Sequence, residues 1–213
     1  RLLLPLHQSF DSVIKITIGG EKSDNYLISQ VEKYFPNARI NNVYGSTETG
    51  PLFSSKNDEF VVQDKHIGLV KVVEDELYIH KDLFGETTQL TLIDDFYATG
   101  DLVEWIGEEE KKFRFTSRKN ELINVGGYKV NPYEVEDELT KHPKIRNVRV
   151  FGKSNAVLGN IICCDVELLP DSELKEQDIR YFLNGKIQNF KIPRKISFVE
   201  KIELTRTGKK KIV

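Results

Sequence analysis

Apolar and polar positions alternate with different periods along the chain, and the first change of period lies within residues 12–45. Residues 12–20 (SVIKITIGG) form an apolar run that ends in two glycines, as a buried strand does. The next residues place apolar side chains at helical spacing, with Ser23 or Asp24 as the N-cap: Leu27, Ile28, Val31 and Phe35. Residues 38–45 (ARINNVYG) return to a strand pattern. Strand, helix and strand in this order predict a βαβ unit with parallel strands.

Short alternating segments with polar turns follow between residues 60 and 117. Residues 67–80 (IGLVKVVEDELYIH) predict a hairpin that turns at Glu74 and Asp75. Three further short runs, TTQLTLI, FYATGDLVEW and KKFRFTS, are typical of strands. We therefore expect an antiparallel, barrel-like subdomain here.

The last part of the chain mixes helix and strand periods. A helix is predicted after Asn131 as N-cap, with Pro132 at its first position, Glu134 closing a capping box, and Val135 and Leu139 on its apolar face. Strand patterns follow at residues 145–152, 160–169 and 195–200. A second helix is predicted over residues 174–187, with four residues facing inward: Leu174, Ile179, Phe182 and Leu183.

These patterns together predict an α/β plus α+β protein of two domains. Residues 1–119 would be the C-terminal part of a large domain, α/β over residues 1–60 and β-rich over 61–119. Residues 120–213 would form a small α+β lid domain.

Composition adds few restrictions on function. Of the 213 residues, 39% are apolar and 30% charged, which is typical of a globular protein. The net charge of −2 gives no general attraction to nucleic acid, and no apolar run is long enough to span a membrane. Cys163 and Cys164 are neighbours on a predicted strand, so we expect two buried free thiols and a cytoplasmic protein.

Polar residues collect in residues 44–50 (YGSTETG), where the second predicted strand ends. Tyr44 could stack on a base, and the Thr47 hydroxyl could bind phosphate. The Glu48 carboxylate could hold a hard cation such as Mg²⁺. A surface turn with a helix-capping glutamate is the alternative reading. Ligands of parallel sheets bind where strands end, which favours one site shared with Gly19, Gly20 and Glu21.

Four further positions could carry chemistry, each with a structural alternative. Asp101, after a Thr-Gly turn, could bind sugar hydroxyls, or serve only the turn. Arg118 could hold ribose or phosphate, or be a solvated charge. Gly126-Gly127 could let a ligand approach the backbone, or form a left-handed turn. Lys209 could meet a developing negative charge, or belong to a frayed basic terminus.

The order of these motifs resembles that of the adenylate-forming superfamily, which includes acyl- and aryl-CoA synthetases, nonribosomal-peptide adenylation domains and luciferases. The motifs run ITIGGE, NVYGSTETG, YATGDL, SRKNELINVGGYKVNPYEVEDEL and TRTGKKK, and they cover almost the whole chain. The long middle motifs carry the resemblance, because the short ones alone would not be specific.

The resemblance implies a role for each candidate residue. The adenine pocket would be formed along Gly19, Gly20, Glu21, Tyr44 and Gly45, with Tyr44 stacking on the base. Asp101 would take the ribose hydroxyls, helped by Arg118. Thr47 would bind phosphate and Glu48 would hold Mg²⁺. Asn120 would be the hinge, Gly127 would line the thiol channel, and Lys209 would contact the carboxylate and the α-phosphate.

The implied reaction joins a carboxylic acid to ATP as an acyl-adenylate and then transfers the acyl group to a thiol, with coenzyme A preferred. A carrier-protein-loading adenylation domain and a non-catalytic nucleotide- or partner-binding fragment remain alternatives. The family's Gly-rich phosphate loop has no counterpart in this sequence, so we expect a C-terminal portion that is inactive alone. Asn120 and Asn124 also depart from the residues usual in the family.

Overall fold

The computed structural model of the chain describes residues 6, 8–20, 25–85, 90–107, 111–204 and 210. The chain divides into two compact units, unit 1 (residues 1–119) and unit 2 (residues 120–213). Each unit has its own sheets and its own buried apolar side chains.

Unit 1 begins with the predicted βαβ arrangement. Its elements are β1 (Lys15–Gly19), α1 (Asn25–Tyr34), β2 (Arg39–Ser46) and β3 (Gly50–Ser55). β1 and β2 are parallel and β3 is antiparallel to β2. Ile28 and Val31 of α1 are buried against Ile40 of β2, which confirms part of the predicted apolar face. The N-cap candidates Ser23 and Asp24 lie outside the described residues.

The rest of unit 1 is a six-stranded antiparallel sheet. Its strands are β4 (Phe60–Val61), β5 (Val70–Val73), β6 (Glu76–His80), β7 (Leu92–Ile93), β8 (Phe96–Ile106) and β9 (Lys112–Arg118). Their order is β4-β9-β8-β6-β5, and β7 pairs with β8. Glu74 and Asp75 have φ of 50° and 64°, so the hairpin predicted there is confirmed.

This sheet is open rather than barrel-like. Within the described residues, β4 and β5 end the strand order and do not pair with each other, so the predicted barrel is wrong here. The core beside this sheet is rich in aromatic side chains. Phe113 is fully buried, and it packs edge-on against Phe53 at 5.1 Å and against Phe115 at 5.4 Å between ring centroids.

Unit 2 packs two helices on one sheet. Its elements are β10 (Ile123–Val125), β11 (Tyr128–Val130), α2 (Pro132–Thr140), β12 (Ile145–Asn155), β13 (Gly159–Leu168), α3 (Glu176–Leu183) and β14 (Lys195–Val199). The order is β11-β10-β13-β12, with β14 parallel to β13. The Asn131 side chain accepts a hydrogen bond from Tyr133 N at 3.0 Å, which confirms the predicted N-cap of α2.

The predicted helix faces of unit 2 are buried. Val135, Leu139, Ile179 and Leu183 are fully inaccessible to solvent, and Leu174 and Phe182 pack on the same core. The mixed α/β fold class predicted from sequence is confirmed by these elements.

Candidate active site

The first part of the candidate site lies where β1 and β2 end side by side. Gly19 pairs with Val43 in the parallel register, so Gly20 follows at the level of Tyr44. A Cβ on Gly19 would lie 2.9 Å from the Val43 carbonyl oxygen, and Gly20 has φ of +84°. Both positions therefore favour glycine, and the two glycine motifs meet at one edge of the sheet. Glu21 lies outside the described residues.

The turn between β2 and β3 is closed by hydroxyl groups. Ser46 N donates to Thr49 Oγ1 at 3.1 Å, and Thr49 N donates to Ser46 Oγ at 3.2 Å. A Cβ on Gly45 would lie 2.1 Å from the Gly50 carbonyl oxygen, so the strands can approach this closely only with glycine at position 45. The Thr47 side chain, by contrast, is exposed to solvent.

Glu48 stands in this turn with its carboxylate free to remain charged. A hydrogen bond from the Ser46 side chain lowers the pKa of the Glu48 carboxyl from its ordinary value. The Glu48 carbonyl oxygen accepts from Gly85 N at 3.0 Å, which holds the backbone of the turn. The turn thus presents an anionic oxygen pair and a free hydroxyl to solvent.

Three of the predicted site residues are joined by direct hydrogen bonds. The Tyr44 hydroxyl donates to Asp101 Oδ2 at 2.7 Å, and Arg118 Nε donates to Asp101 Oδ1 at 2.7 Å. Asp101 of β8 also faces Arg118 of β9 in the strand register. Asp101 is only 6% exposed. The Arg118 guanidinium balances the charge of its carboxylate in this mostly buried position.

The Tyr44 ring packs against two phenylalanine rings, Phe115 and Phe53, the second at 5.9 Å between ring centroids. It stacks on Phe115 with 4.3 Å between ring centroids and 25° between planes. Burial, followed by the adjacent negative charge of Asp101, raises the pKa of the Tyr44 hydroxyl well above its ordinary value. The hydroxyl therefore remains a donor to the carboxylate at any physiological pH.

The sequence suggested that Asp101 follows a Thr-Gly turn, but the structure shows no such turn. Residues 96–106 form the single strand β8, and the Thr99-Gly100 step is an irregularity within it. The difference matters because a strand with neighbours on both sides fixes the carboxylate more firmly than an exposed loop would.

In unit 2 the two glycines form the tip of the β10–β11 hairpin. Gly126 and Gly127 have φ of 57° and 91°, and Gly127 N donates to Asn124 Oδ1 at 3.1 Å. This is a left-handed two-residue turn, which glycine adopts without strain. Asn120 is the first residue of unit 2 and is exposed.

Lys209 lies outside the described residues, but its neighbour Lys210 is placed. The Lys210 ammonium contacts the Glu136 carboxylate and the Val148 carbonyl oxygen. Glu136 is 6% exposed and also accepts from Val150 N at 2.7 Å. Lys210, which directly follows the predicted catalytic lysine, is therefore held at the core of unit 2.

Sequence reasoning missed several residues around the candidate site, above all Glu76, Thr99 and Lys119. Glu76 sits two residues after Glu74 in a hairpin, where a third acidic side chain indicates a solvated turn. In the structure it is 4% exposed. Its position before the apolar run Leu77–Ile79 was the one available signal, since a charge at a strand start can point inward.

The described residues offer no multidentate metal site and no membrane-crossing helix. No group of three or more His, Cys, Asp or Glu side chains among them could surround an ion. None of the helices in the described part of the chain has the length and apolar character needed to cross a bilayer.

Comparison with known proteins identifies relatives along most of the chain. Residues 134–209 match the family model of the AMP-binding enzyme C-terminal domain. The medium-chain acyl-CoA ligase ACSF2 of Mus musculus, named as mitochondrial, is 28% identical over 94% of this chain and 37% of its own length. A long-chain-fatty-acid–CoA ligase of Haemophilus influenzae is 26% identical over 93% of this chain and 39% of its own length.

A solved structure shares the fold. The amide bond synthetase McbA from Marinactinospora thermotolerans superposes with a TM-score of 0.73 and 19% identity, over 93% of this chain and 46% of that chain. The present chain thus spans less than two fifths of the two curated relatives. Residues 134–209 thus match an AMP-binding enzyme C-terminal domain, and most of the chain is similar in sequence to part of the acyl-CoA ligases named above.

Proposed function

We propose that the chain is the nucleotide-binding and lid portion of an ATP-dependent, AMP-forming acid–thiol ligase of the acyl-CoA synthetase type. The observation that carries this proposal is the bonded group of Tyr44, Asp101 and Arg118, next to the glycine-rich strand ends. The relatives named as acyl-CoA ligases support the same reaction.

Asp101 is suited to bind ribose. Each of its oxygens accepts one of the two bonds described above, yet a carboxylate has about four lone-pair sites. Two sugar hydroxyls can therefore donate to it while Tyr44 and Arg118 keep it oriented. Adenine would then lie along Gly19, Gly20 and Gly45, beside the Tyr44 ring.

The turn after β2 is suited to the phosphates. Thr47 offers an exposed hydroxyl, and Glu48 offers a carboxylate whose lowered pKa keeps it ionised. Mg²⁺ commonly takes one or two protein carboxylates and completes its shell with phosphate oxygens and water, so a single glutamate fits it. When bound, the ion would neutralise phosphate charge.

Acid activation brings two anions together. One oxygen of the substrate carboxylate attacks the α-phosphorus of ATP, and pyrophosphate leaves. Lys209 supplies an ammonium to this charge, since an ordinary lysine is protonated at neutral pH. The thiol of coenzyme A then attacks the acyl carbon and AMP leaves. Asn120 would act as the hinge between the two steps, and Gly127 would line the path of the thiol.

The proposal is tested by replacing Lys209 with alanine in the full-length protein. We expect acyl-adenylate formation, measured by ATP–pyrophosphate exchange, to fall by a few hundred-fold, because a contact made in the transition state is worth about 3–4 kcal/mol. Lys211→Ala is the matched control in the same basic segment and should retain exchange. An unchanged rate in Lys209→Ala, with a folded protein, would remove the role given to Lys209.

The acceptor is tested separately in the full-length protein. Thioester formation with free coenzyme A supports the synthetase, whereas formation only with a holo-carrier protein favours a carrier-loading adenylation domain. The cytoplasmic location also stays a prediction, because several relatives, the ACSF2 proteins among them, are named as mitochondrial.

The 213-residue chain alone is expected to lack adenylation activity, since these residues contain no counterpart of the Gly-rich phosphate loop. Pyrophosphate exchange by the purified chain would contradict this. Calorimetry with AMP then distinguishes a nucleotide-binding fragment from one that binds only a protein partner.

A further inference from the structure

β8 carries a two-residue bulge immediately before Asp101. Tyr78 of β6 faces Ala98, and Glu76 faces Leu102, so Leu77 alone lies opposite residues 99–101. Gly100 within the bulge has φ of +72°. A bulge changes the direction in which the next side chain points, and here that side chain is the Asp101 carboxylate.

Two side chains accept hydrogen bonds from backbone amides of the bulge. Gly100 N donates to Glu76 Oε1 at 2.9 Å, and Asp101 N donates to Thr99 Oγ1 at 3.0 Å. Thr99 Oγ1 in turn donates to the Leu77 carbonyl oxygen at 2.8 Å. These bonds specify one conformation of the bulge, because an unsatisfied amide in a half-buried strand is unfavourable.

The second oxygen of Glu76 reaches the neighbouring strand end. Lys119 Nζ donates to Glu76 Oε2 at 2.8 Å. Glu76 therefore binds Gly100, which precedes Asp101, and Lys119, which follows Arg118. One carboxylate thus holds the backbone of Gly100, next to Asp101, and pairs with the side chain of Lys119, next to Arg118.

The burial of Glu76 indicates that this arrangement is specific rather than incidental. Its side chain is 6% exposed, while that of Lys119 is 58% exposed. Burying a carboxylate costs free energy unless its oxygens accept hydrogen bonds or pair with a cation. An apolar side chain in the same place would have a smaller desolvation cost. A buried carboxylate at this point is explained by the bonds it makes to the bulge.

We propose that Glu76, together with Thr99, is a positioning residue that holds the β8 bulge and thereby directs Asp101 toward the ribose hydroxyls of the nucleotide. The inference rests on the proposed nucleotide function. It adds two residues that bind no substrate themselves and act through the backbone amides of Gly100 and Asp101.

The test compares ATP with 2′,3′-dideoxy-ATP, which lacks the hydroxyls that Asp101 would bind. The ratio of kcat/KM for the two nucleotides is measured in the full-length protein by pyrophosphate release. Glu76→Met removes the acceptor for Gly100 N at similar side-chain length, and should lower the ratio by about tenfold. Glu76→Gln keeps an acceptor and should stay within about threefold of the wild type.

Ile79→Val is the control for a purely structural effect. Ile79 is buried in the same strand but makes none of these bonds, so its variant should lower the melting temperature and leave the ratio unchanged. If Glu76→Met does not fold, Thr99→Val removes the acceptor for Asp101 N and should lower the ratio in the same way.

Three results would overturn the inference: a wild-type ratio in Glu76→Met, a wild-type ratio in Thr99→Val, or an equal fall in Ile79→Val. Failure of the proposed function itself looks different, since the wild-type protein would then release no pyrophosphate or would use both nucleotides equally.

Discussion

The two units bury their apolar side chains in unequal ways. Among the residues that the structure describes, unit 2 gathers fourteen buried apolar residues, including Cys164, into one core beneath α2 and α3, whereas those of unit 1 form clusters of eight and three. Burial of apolar area is the main source of folding free energy, so one large cluster supports more cooperative stability than two small ones. We therefore expect the core of unit 2 to contribute more to stability than either cluster of unit 1.

The buried carboxylates follow the same comparison. In unit 1, Asp101 and Glu76 lie together at the candidate site. In unit 2, Glu136 and Glu167 each join a backbone amide to a cation, Lys210 and Arg146 respectively. In unit 1 the buried carboxylates therefore lie at the candidate site, whereas in unit 2 they join strands to other segments of the unit.

The largest expected loss of stability comes from shortening a buried leucine in the core of each unit. Leu139 and Leu77 are both fully buried, so either Leu→Ala change should lower the free energy of unfolding of its own unit by about 2–5 kcal/mol. Trp105, the single tryptophan, lies in unit 1 and packs edge-on against Phe113. Its fluorescence in a urea titration should shift for Leu77→Ala, while far-UV circular dichroism should report the shift for Leu139→Ala.

Leu169→Ala is the control for the larger core, because Leu169 is 41% exposed and should change stability little. If Leu139→Ala moved the Trp105 transition as far as Leu77→Ala does, the two cores would not be energetically separate, and the comparison would fail.

A smaller loss of stability should distinguish a buried from an exposed glutamate of α2, each of which pairs with a lysine outside the helix. Glu136 and Glu134 both lie on α2, but Glu136 is 6% exposed and holds Lys210, whereas the Glu134 side chain is 42% exposed and holds Lys191. Glu136→Ala should destabilise unit 2 by about 1–3 kcal/mol, because Val150 N loses its acceptor. Glu134→Ala should cost about 0–1 kcal/mol. Equal losses in thermal unfolding would show that burial does not distinguish the two pairs.

The smallest effect is pH-dependent and belongs to unit 1. The folded state raises the pKa of Tyr44, so an unfolded chain releases this proton at about pH 10 while the folded one keeps it. The stabilisation is fully present below about pH 10 and is lost above it, at up to about 1.4 kcal/mol per pH unit. Urea titrations followed by Trp105 should show this loss in the wild type.

The Tyr44→Phe variant should not show this loss of stability at high pH. At about pH 8 it should be less stable than the wild type by about 1–2 kcal/mol, because the hydrogen bond to Asp101 is lost. The stability difference between the two proteins should therefore shrink as the pH rises. A constant difference from about pH 8 to pH 11 would argue against a perturbed Tyr44.

Local rules in the sequence were sufficient for most elements. The apolar spacing of Ile28 and Val31 predicts α1, the Glu74-Asp75 step predicts a hairpin, and Asn131-Pro132 predicts the start of α2. Each of these signals depends on neighbours within a few residues, which is why a single sequence contains it.

The remaining features depend on partners far apart in the chain. Glu76 and Lys119 are separated by 43 positions, and Glu136 and Lys210 by 74. The β8 bulge also could not be predicted, because Thr99-Gly100 is equally typical of an exposed turn. The prediction of a barrel was wrong for a similar reason. Alternation of apolar and polar residues predicts strands, but it does not predict whether the first and last strands of a sheet pair with each other.

The paired thiols of β13 provide a reporter that needs no mutation. Cys163 and Cys164 are the only cysteines, both are 1% exposed, and burial raises the pKa of Cys164 to about 12. A disulfide reagent can reach them only when unit 2 opens, so the labelling rate in native buffer measures the free energy of that opening. Trp105 fluorescence measures the unfolding of unit 1, and thiol labelling measures the opening of unit 2. The stability of each unit can therefore be followed separately in one unmodified chain.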